Sequence, residues 1–187
     1  KIISMDVTLS YSLLKLVNSA YFALPNKVKD IKQALTILGM GQLKQWIYLL
    51  SFSDDGGVSD ELIKTSFLRA VFCQEVAQFI PGIPLTWPEA YLLGMFSTLG
   101  VLLEVPIESA IAQIPLSDEL KGGLTGAPGL SSDLLNLCIS YEKGKWGKVS
   151  SLADSLGLPQ DIIKEKYLDS VEYVNDIWSE LTKSAIN

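Results

Sequence analysis

Hydrophobic positions recur every three to four residues along much of the chain, and the run Ala90-Tyr-Leu-Leu-Gly-Met-Phe-Ser-Thr-Leu-Gly-Val-Leu-Leu103 carries no charge at all. Trp87-Pro88-Glu89 predicts a helix start, because proline suits the first turn, where its missing N–H is not needed. Glu104-Val105-Pro106 predicts the stop. A helix apolar at every angle of a 3.6-residue repeat is either buried at the centre of a domain or crosses a membrane. This run is shorter than the about 20 apolar residues a span requires, and Ser97 and Thr98 sit in its middle. It therefore predicts a central core helix. Gly94 and Gly100 each cost about 1 kcal/mol relative to alanine in a helix interior, which predicts that another helix crosses close by.

The same periodicity sets out the other elements. Asp6 is placed to cap a helix in which Leu9, Leu13, Leu14, Leu16 and Val17 share a face. Asn18-Ser19 ends it, and Tyr21-Phe22-Ala23-Leu24-Pro25 forms an aromatic loop. Asp30 caps a second helix over 31–38 that Gly39 terminates. A third covers about 41–52, with Leu43, Trp46, Ile47 and Leu50 at helical spacing. Asp54-Asp55-Gly56-Gly57 is the clearest break. Ser59 then caps a helix to about Ile80, with Leu62, Ile63, Phe67, Val71, Val76 and Phe79 facing inward, closed by Pro81-Gly82-Ile83-Pro84. Beyond the central helix the pattern predicts short helices near 107–113 and from Ser117, then a flexible loop over Gly122-Gly123, Gly126 and Pro128-Gly129. Helices follow at about 132–142, 148–156 and 159–183. No stretch alternates with period two, so the fold class is all-α: a multi-helix bundle around a buried central helix. One domain is expected over 1–187, divisible at the break into an N-terminal helical lobe, 1–53, and a C-terminal lobe, 59–187.

Composition narrows the function classes. With 187 residues, 48% hydrophobic and 19% charged, the chain has the apolar content of a packed globule rather than a disordered segment. Its net charge of −6 opposes binding to nucleic-acid phosphate or to an anionic membrane, so neither is expected as a partner. Nothing resembles a signal peptide or a membrane span. Cys73 and Cys138, in apolar surroundings, are expected to be reduced core residues, which fits a cytoplasmic protein. There is no histidine. That removes Ser-His-Asp and Cys-His catalysis, imidazole zinc sites and the commonest general base at neutral pH. The chain opens on Lys1-Ile2-Ile3-Ser4 rather than methionine, which predicts a fragment with its natural neighbour on the N-terminal side.

Three stretches, in order, carry a family resemblance. Asp6-x-x-Leu9-Ser10-x-x-Leu13-Leu14-Lys15-Leu16-Val17-Asn18-Ser19-x-x-Phe22 resembles the opening of the HDOD domain, a bacterial signalling module related to HD metal phosphohydrolases but generally lacking their catalytic residues. Ile31-x-x-Ala34-Leu35-x-x-Leu38-Gly39 resembles the next HDOD signature. Gly94-Met95-Phe96-Ser97-Thr98-Leu99-Gly100 is similar to the dyad segment, where a His-Asp pair binds the metal in the phosphohydrolases. Matching the two glycines puts Ser97 at the His position and Thr98 at the Asp position. Hydroxyls are poor ligands for a divalent transition metal, so the resemblance implies a degenerate site with no catalytic residue, metal or cofactor. The later segments Pro115–Leu120 and Tyr141-Glu142-Lys143-Gly144-Lys145-Trp146 are similar to HDOD domains that follow an EAL domain, a module that hydrolyses or binds cyclic di-GMP. That implies an EAL domain before Lys1. The function implied is a non-catalytic signal-transduction output module that works through a protein partner or the attached EAL domain.

Each candidate site has a plainer structural explanation beside it. Asn18, Tyr21 and Phe22 could form a partner-docking surface, but a helix end needs such groups anyway, and the aromatics are expected to fold back onto the core. Ser97 and Thr98, with Arg69 from the preceding helix, could line a residual pocket. The simpler expectation is that both hydroxyls bond to carbonyls one turn earlier and that Arg69 lies on the surface. Asp54/Asp55, Asp60/Glu61 and Asp118/Glu119 leave an all-oxygen metal site open, and hence a divergent metal phosphohydrolase, yet acidic residues in loops and first helical turns are favoured by the helix dipole alone. Leu152 to Ile163 resembles a helix-turn-helix with Pro159 opening the second helix, but Gln160, Asp161, Lys164, Glu165, Lys166 and Asp169 would present no basic face to DNA. Lys27, Lys29 and Lys32 are the one local basic cluster picked out by the sequence, with no stacking platform beside it.

Overall fold

A computed structural model describes residues 60–102, 104–112 and 116–184. Eight helices lie among them: α1 (Asp60–Ala77), α2 (Trp87–Phe96), α3 (Leu99–Leu102), α4 (Ile107–Ile111), α5 (Asp118–Thr125), α6 (Leu130–Glu142), α7 (Trp146–Leu156) and α8 (Gln160–Ser184). No strand occurs among the described residues, and the class is all-α. The chain divides into two compact units, one of Lys1–Asp60 with Leu99–Ser117 and one of Glu61–Thr98 with Asp118–Asn187.

In the second unit α1 meets three other helices. Gln74 Nε2 donates to the Trp87 carbonyl at 3.1 Å, and Ser66 Oγ meets Thr98 Oγ1 at 2.5 Å, so α1 and α2 run antiparallel. Between these two contacts lies Gly94. A Cβ there would overlap the Arg69 carbonyl and come within 2.6 Å of Ala70 Cα. Gly94 is thus the point where two backbones touch, and the close crossing expected from its cost is with α1. On another side Arg69 and Cys73 of α1 meet Glu142 and Cys138 of α6, one helical turn apart on each element. On a third, Phe67 and Phe72 pack edge-on or tilted against Tyr173 and Tyr167 of α8. Phe67, Val71 and Val76 are buried as their spacing predicts.

Phe79 departs from that expectation, being 40% exposed. The helix ends at Ala77, and Phe79 and Ile80 donate to carbonyls only three residues back, at 3.0 and 3.1 Å. This tighter turn takes Phe79 out of phase with the buried face.

The expected continuous helix over 90–103 is instead two pieces, broken at Ser97-Thr98. Ser97 Oγ donates to the Gly94 carbonyl at 2.6 Å, and Thr98 Oγ1 lies 3.2 Å from the Met95 carbonyl. Side chains that satisfy those carbonyls compete with the next backbone turn. Upstream of the break, α2 is buried from Glu89 to Phe96. Its entry is held by Glu89, whose carboxylate accepts from the Thr86 N–H at 2.9 Å and the Thr86 hydroxyl at 2.6 Å.

Gly100, in the first unit, is crowded by the chain's own return: a Cβ there would lie 2.9 Å from the carbonyl of Val105 and 3.4 Å from the backbone nitrogen of Ile107, where α4 begins. The return is a Schellman turn: Val105 N–H donates to the Gly100 carbonyl at 3.0 Å, with Glu104 at φ 55° in the left-handed position.

Gly122-Gly123, expected in a loop, lies inside α5. A Cβ on Gly123 would come within 2.7 Å of Leu93 Cδ1 and 2.9 Å of Ser131 Cβ. Gly123 is thus where α5 presses on α2 and α6, whereas a Cβ on Gly122 would meet only Ala127 at 3.5 Å; the loop begins at Gly126, φ 79°.

Candidate functional site

Arg69 belongs to a helix whose second half is enclosed by α2, α6 and α8, and it is 8% exposed rather than on the surface. A guanidinium removed from water requires a charged partner and filled donors. Glu142, the last residue of α6, supplies both. Arg69 Nε donates to the two carboxylate oxygens at 2.9 and 3.1 Å, and Nη2 donates to Oε2 at 2.6 Å. Burial alone would push the guanidinium pKa down, but the hydrogen bond and charge of Glu142 outweigh it and hold the value above the ordinary one.

The remaining terminal nitrogen reaches Ser97, the residue that the family resemblance aligns with the dyad histidine. Arg69 Nη1 donates to Ser97 Oγ at 2.9 Å, and that hydroxyl passes its own proton to the Gly94 carbonyl. One side chain therefore joins three helices: α1, the broken end of α2, and the C-terminus of α6. Thr98 lies in a separate, wholly hydroxylic chain. Ser66 Oγ reaches the Leu62 carbonyl at 2.7 Å and Thr98 Oγ1 the Met95 carbonyl at 3.2 Å, and the two hydroxyls meet at 2.5 Å, where either can be the donor. Both dyad-position residues thus have their protons committed inside the protein.

Electrostatically the site is a buried ion pair, with the positive end beside Ser97. A divalent cation at that position would meet a guanidinium and a hydroxyl, neither of which is a good metal donor. Among the described residues no group of three or more Cys, Asp or Glu side chains is placed to hold a metal ion. Asp118 and Glu119 lie in the first turn of α5, where the helix dipole favours them. Ser97, Thr98 and Arg69 are brought together across α1 and α2. Asn18, Tyr21 and Phe22 lie outside the described residues, as do Lys27, Lys29, Lys32 and the pair Asp54/Asp55.

Glu142 is the site member that sequence reasoning missed. It lies 73 residues from Arg69, and its only signal was a place in the Tyr141–Trp146 stretch. Cys73 and Cys138 are free, fully buried thiols one turn from the ion pair. Burial, then contact with Cys73, raises the Cys138 thiol well above its ordinary range.

The comparisons with known proteins agree with the resemblance. The family model of the HDOD domain matches residues 1–113, more than half of the chain. The chain belongs to the HDOD family. Its dyad segment lies inside that match, whereas Glu142 lies beyond it. Over 180 residues the HDOD chain is 33% identical to a Bacillus subtilis protein named "Uncharacterized protein YuxH", covering 94% of this chain and 43% of that one. Over 178 residues it is 30% identical to "Cyclic di-GMP phosphodiesterase CdgJ" of Vibrio cholerae, covering 95% of this chain and 41% of that one. The chain spans less than half the length of the curated relatives it matches. No solved structure matches it.

The helix-turn-helix resemblance falls on α7, Gly157 and α8. Gly157 closes α7 at φ 67°, and Leu158 N–H returns to the Ala153 carbonyl at 2.9 Å. On α8 Lys166 Nζ is 2.8 Å from Glu165 and 3.0 Å from Asp169, which raises its pKa and neutralises it locally. The face a DNA reader would use carries Asp161, Glu165 and Asp169 against Lys164 and Lys166, a net negative charge. No helix among the described residues is long and apolar enough to cross a membrane.

Proposed function

We propose that this HDOD chain is a non-catalytic signalling output module, acting through a protein partner or an attached EAL domain in cyclic di-GMP signalling. One observation carries the reading: the guanidinium of Arg69, paired with Glu142, donates to the hydroxyl of Ser97 at the dyad position. A fixed positive charge stands where the phosphohydrolase relatives of this family need ligands for one. The relative named as a cyclic di-GMP phosphodiesterase supports the link to that nucleotide, and its length beyond the shared part leaves room for the domain that acts on it. Here the output is a change of domain packing, since Arg69, Ser97 and Thr98 are all engaged in internal hydrogen bonds.

The test uses purified chain in two assays. Metal analysis is expected to find no stoichiometric ion, and incubation with cyclic di-GMP or a generic phosphodiester is expected to give no turnover with Mg²⁺ or Mn²⁺. A tightly bound ion lost in a Ser97→Ala, Thr98→Ala double variant, together with hydrolysis, would replace this reading with that of a divergent phosphohydrolase.

A further inference from the structure

The turn from α6 into α7 places Lys143, Lys145, Trp146 and Lys148 in solvent within six residues, on a chain whose net charge is −6. Its backbone is held by hydrogen bonds on both sides of Gly144. Lys145 N–H donates to the Ser140 carbonyl at 2.9 Å and Gly144 N–H to the Tyr141 carbonyl at 3.0 Å, a Schellman turn with Gly144 at φ 64°. The Lys145 carbonyl then accepts the first α7 bonds from Lys148 and Val149, both at 3.0 Å.

Trp146 is 60% exposed, yet its ring has a fixed seat. The indole stands edge-on to Tyr141 with centroids 5.2 Å apart, and Tyr141 rests on Tyr167 at 4.8 Å and on buried Phe72 at 5.6 Å. Gly144 lies alongside the same ring, where a Cβ would be 3.9 Å from it. Among the described residues none of the three lysines has a carboxylate within ion-pair distance. The turn is a rigid aromatic anchor ringed by uncommitted positive charge, and little ordering entropy remains to be lost on binding.

We propose that this turn docks an acidic polypeptide segment of a partner protein, with Trp146 against an apolar side chain of that segment and the three ammonium groups facing its carboxylates. This deepens the signalling reading and rests on it. A protein partner is favoured over other polyanions by what surrounds the turn. Single-stranded nucleic acid is gripped by a basic groove with successive stacking rings, whereas this turn offers one exposed ring, Trp146, on an acidic chain. An anionic bilayer requires several inserting apolar side chains and a basic surface beyond one turn. A short segment engages the local charge without meeting the rest.

The test titrates the chain into a short fluorescein-labelled peptide rich in Asp and Glu with one central phenylalanine, read by anisotropy. A single-stranded oligonucleotide and phosphatidylserine vesicles are run in parallel. The expected result is saturable binding of the peptide that weakens with salt. Trp146→Ala should weaken it at least tenfold, Trp146→Phe far less, and Lys145→Gln with Lys148→Gln several-fold with a shallower salt dependence. Circular dichroism checks folding. Should Trp146→Ala fail to fold, the exposed lysine variants decide the matter instead. Undiminished binding by the variants, no peptide binding, or tighter binding of oligonucleotide or vesicles overturns the docking proposal and leaves the signalling reading standing. Metal-dependent phosphodiester turnover would overturn both.

Discussion

Glu142 and Lys143 are neighbours in sequence and opposite in circumstance. Glu142 is largely covered at the end of α6 and paired with Arg69, whereas Lys143 begins a turn of exposed lysines without a partner. The difference shows where charge can be used. A buried ion pair fixes three helices relative to one another and is no longer available to a ligand, while the adjacent turn keeps its charge free and fixes only its backbone and one ring. If this contrast holds, perturbing the first region should change stability, and perturbing the second should change binding alone.

The largest effect is expected at the ion pair. Arg69→Met leaves a buried carboxylate without its partner, and breaking such a pair costs about 3–5 kcal/mol. Thermal or urea unfolding should show that loss, and pairing it with Glu142→Leu should recover most or all of it, since well-packed apolar residues replace buried pairs at little cost. A single variant as stable as the parent would mean that the pair is solvated and would break the contrast. Next comes the backbone crossing. Gly94→Ala gains about 1 kcal/mol of helix propensity, but its Cβ has only main-chain atoms to displace, so a net loss of about 1–3 kcal/mol is expected. Gly123→Ala, whose nearest obstacles are the side-chain atoms Leu93 Cδ1 and Ser131 Cβ, should lose less in the same unfolding measurement.

A third effect is alkaline. Burial raises the Tyr91 phenol well above its ordinary value, and raises Tyr141, Tyr167 and Tyr173 in the same direction. Above about pH 10 the unfolded chain sheds protons that the folded chain retains, so this part of the stability is complete below that pH and is lost as pH rises through the folded values. Phenolate absorbance against pH should show part of the tyrosines titrating only with unfolding. Tyr91→Phe should shrink that part without loss at neutral pH, because the Tyr91 hydroxyl is buried with no hydrogen-bond partner among the described residues. The smallest effect is expected at the turn. Lys143→Gln, Lys145→Gln and Lys148→Gln should each change unfolding free energy by no more than about 0.5 kcal/mol, measured beside Arg69→Met. A larger change would show that these lysines serve the fold.

Helix positions were legible wherever a local signal was strong, as at Pro88 in the first turn of α2 and Gly157 at the end of α7. Errors arose where a residue's reason lay on a distant element. Gly123 looks like loop composition until α2 and α6 are seen pressing on it. Arg69 looks like a surface charge until Glu142 reaches it. Phe79 fits the inward spacing of α1 until the helix ends two residues before it. The residues Ser97 and Thr98 were singled out from their flanking glycines. That Arg69 and Glu142 meet there was not legible, because an ion pair between remote residues leaves no periodic trace.

Sequence alone determined the helical class, the missing histidine and the paired hydroxyls between Gly94 and Gly100, because these follow from residue identity and spacing along one chain. Only the tertiary structure decided that α1 is enclosed by three helices, that α2 breaks at Ser97-Thr98, and that a guanidinium is fixed beside Ser97. Burial and charge pairing depend on which side chains come together in space, and residues 69, 97 and 142 become one site only when α1, α2 and α6 have packed.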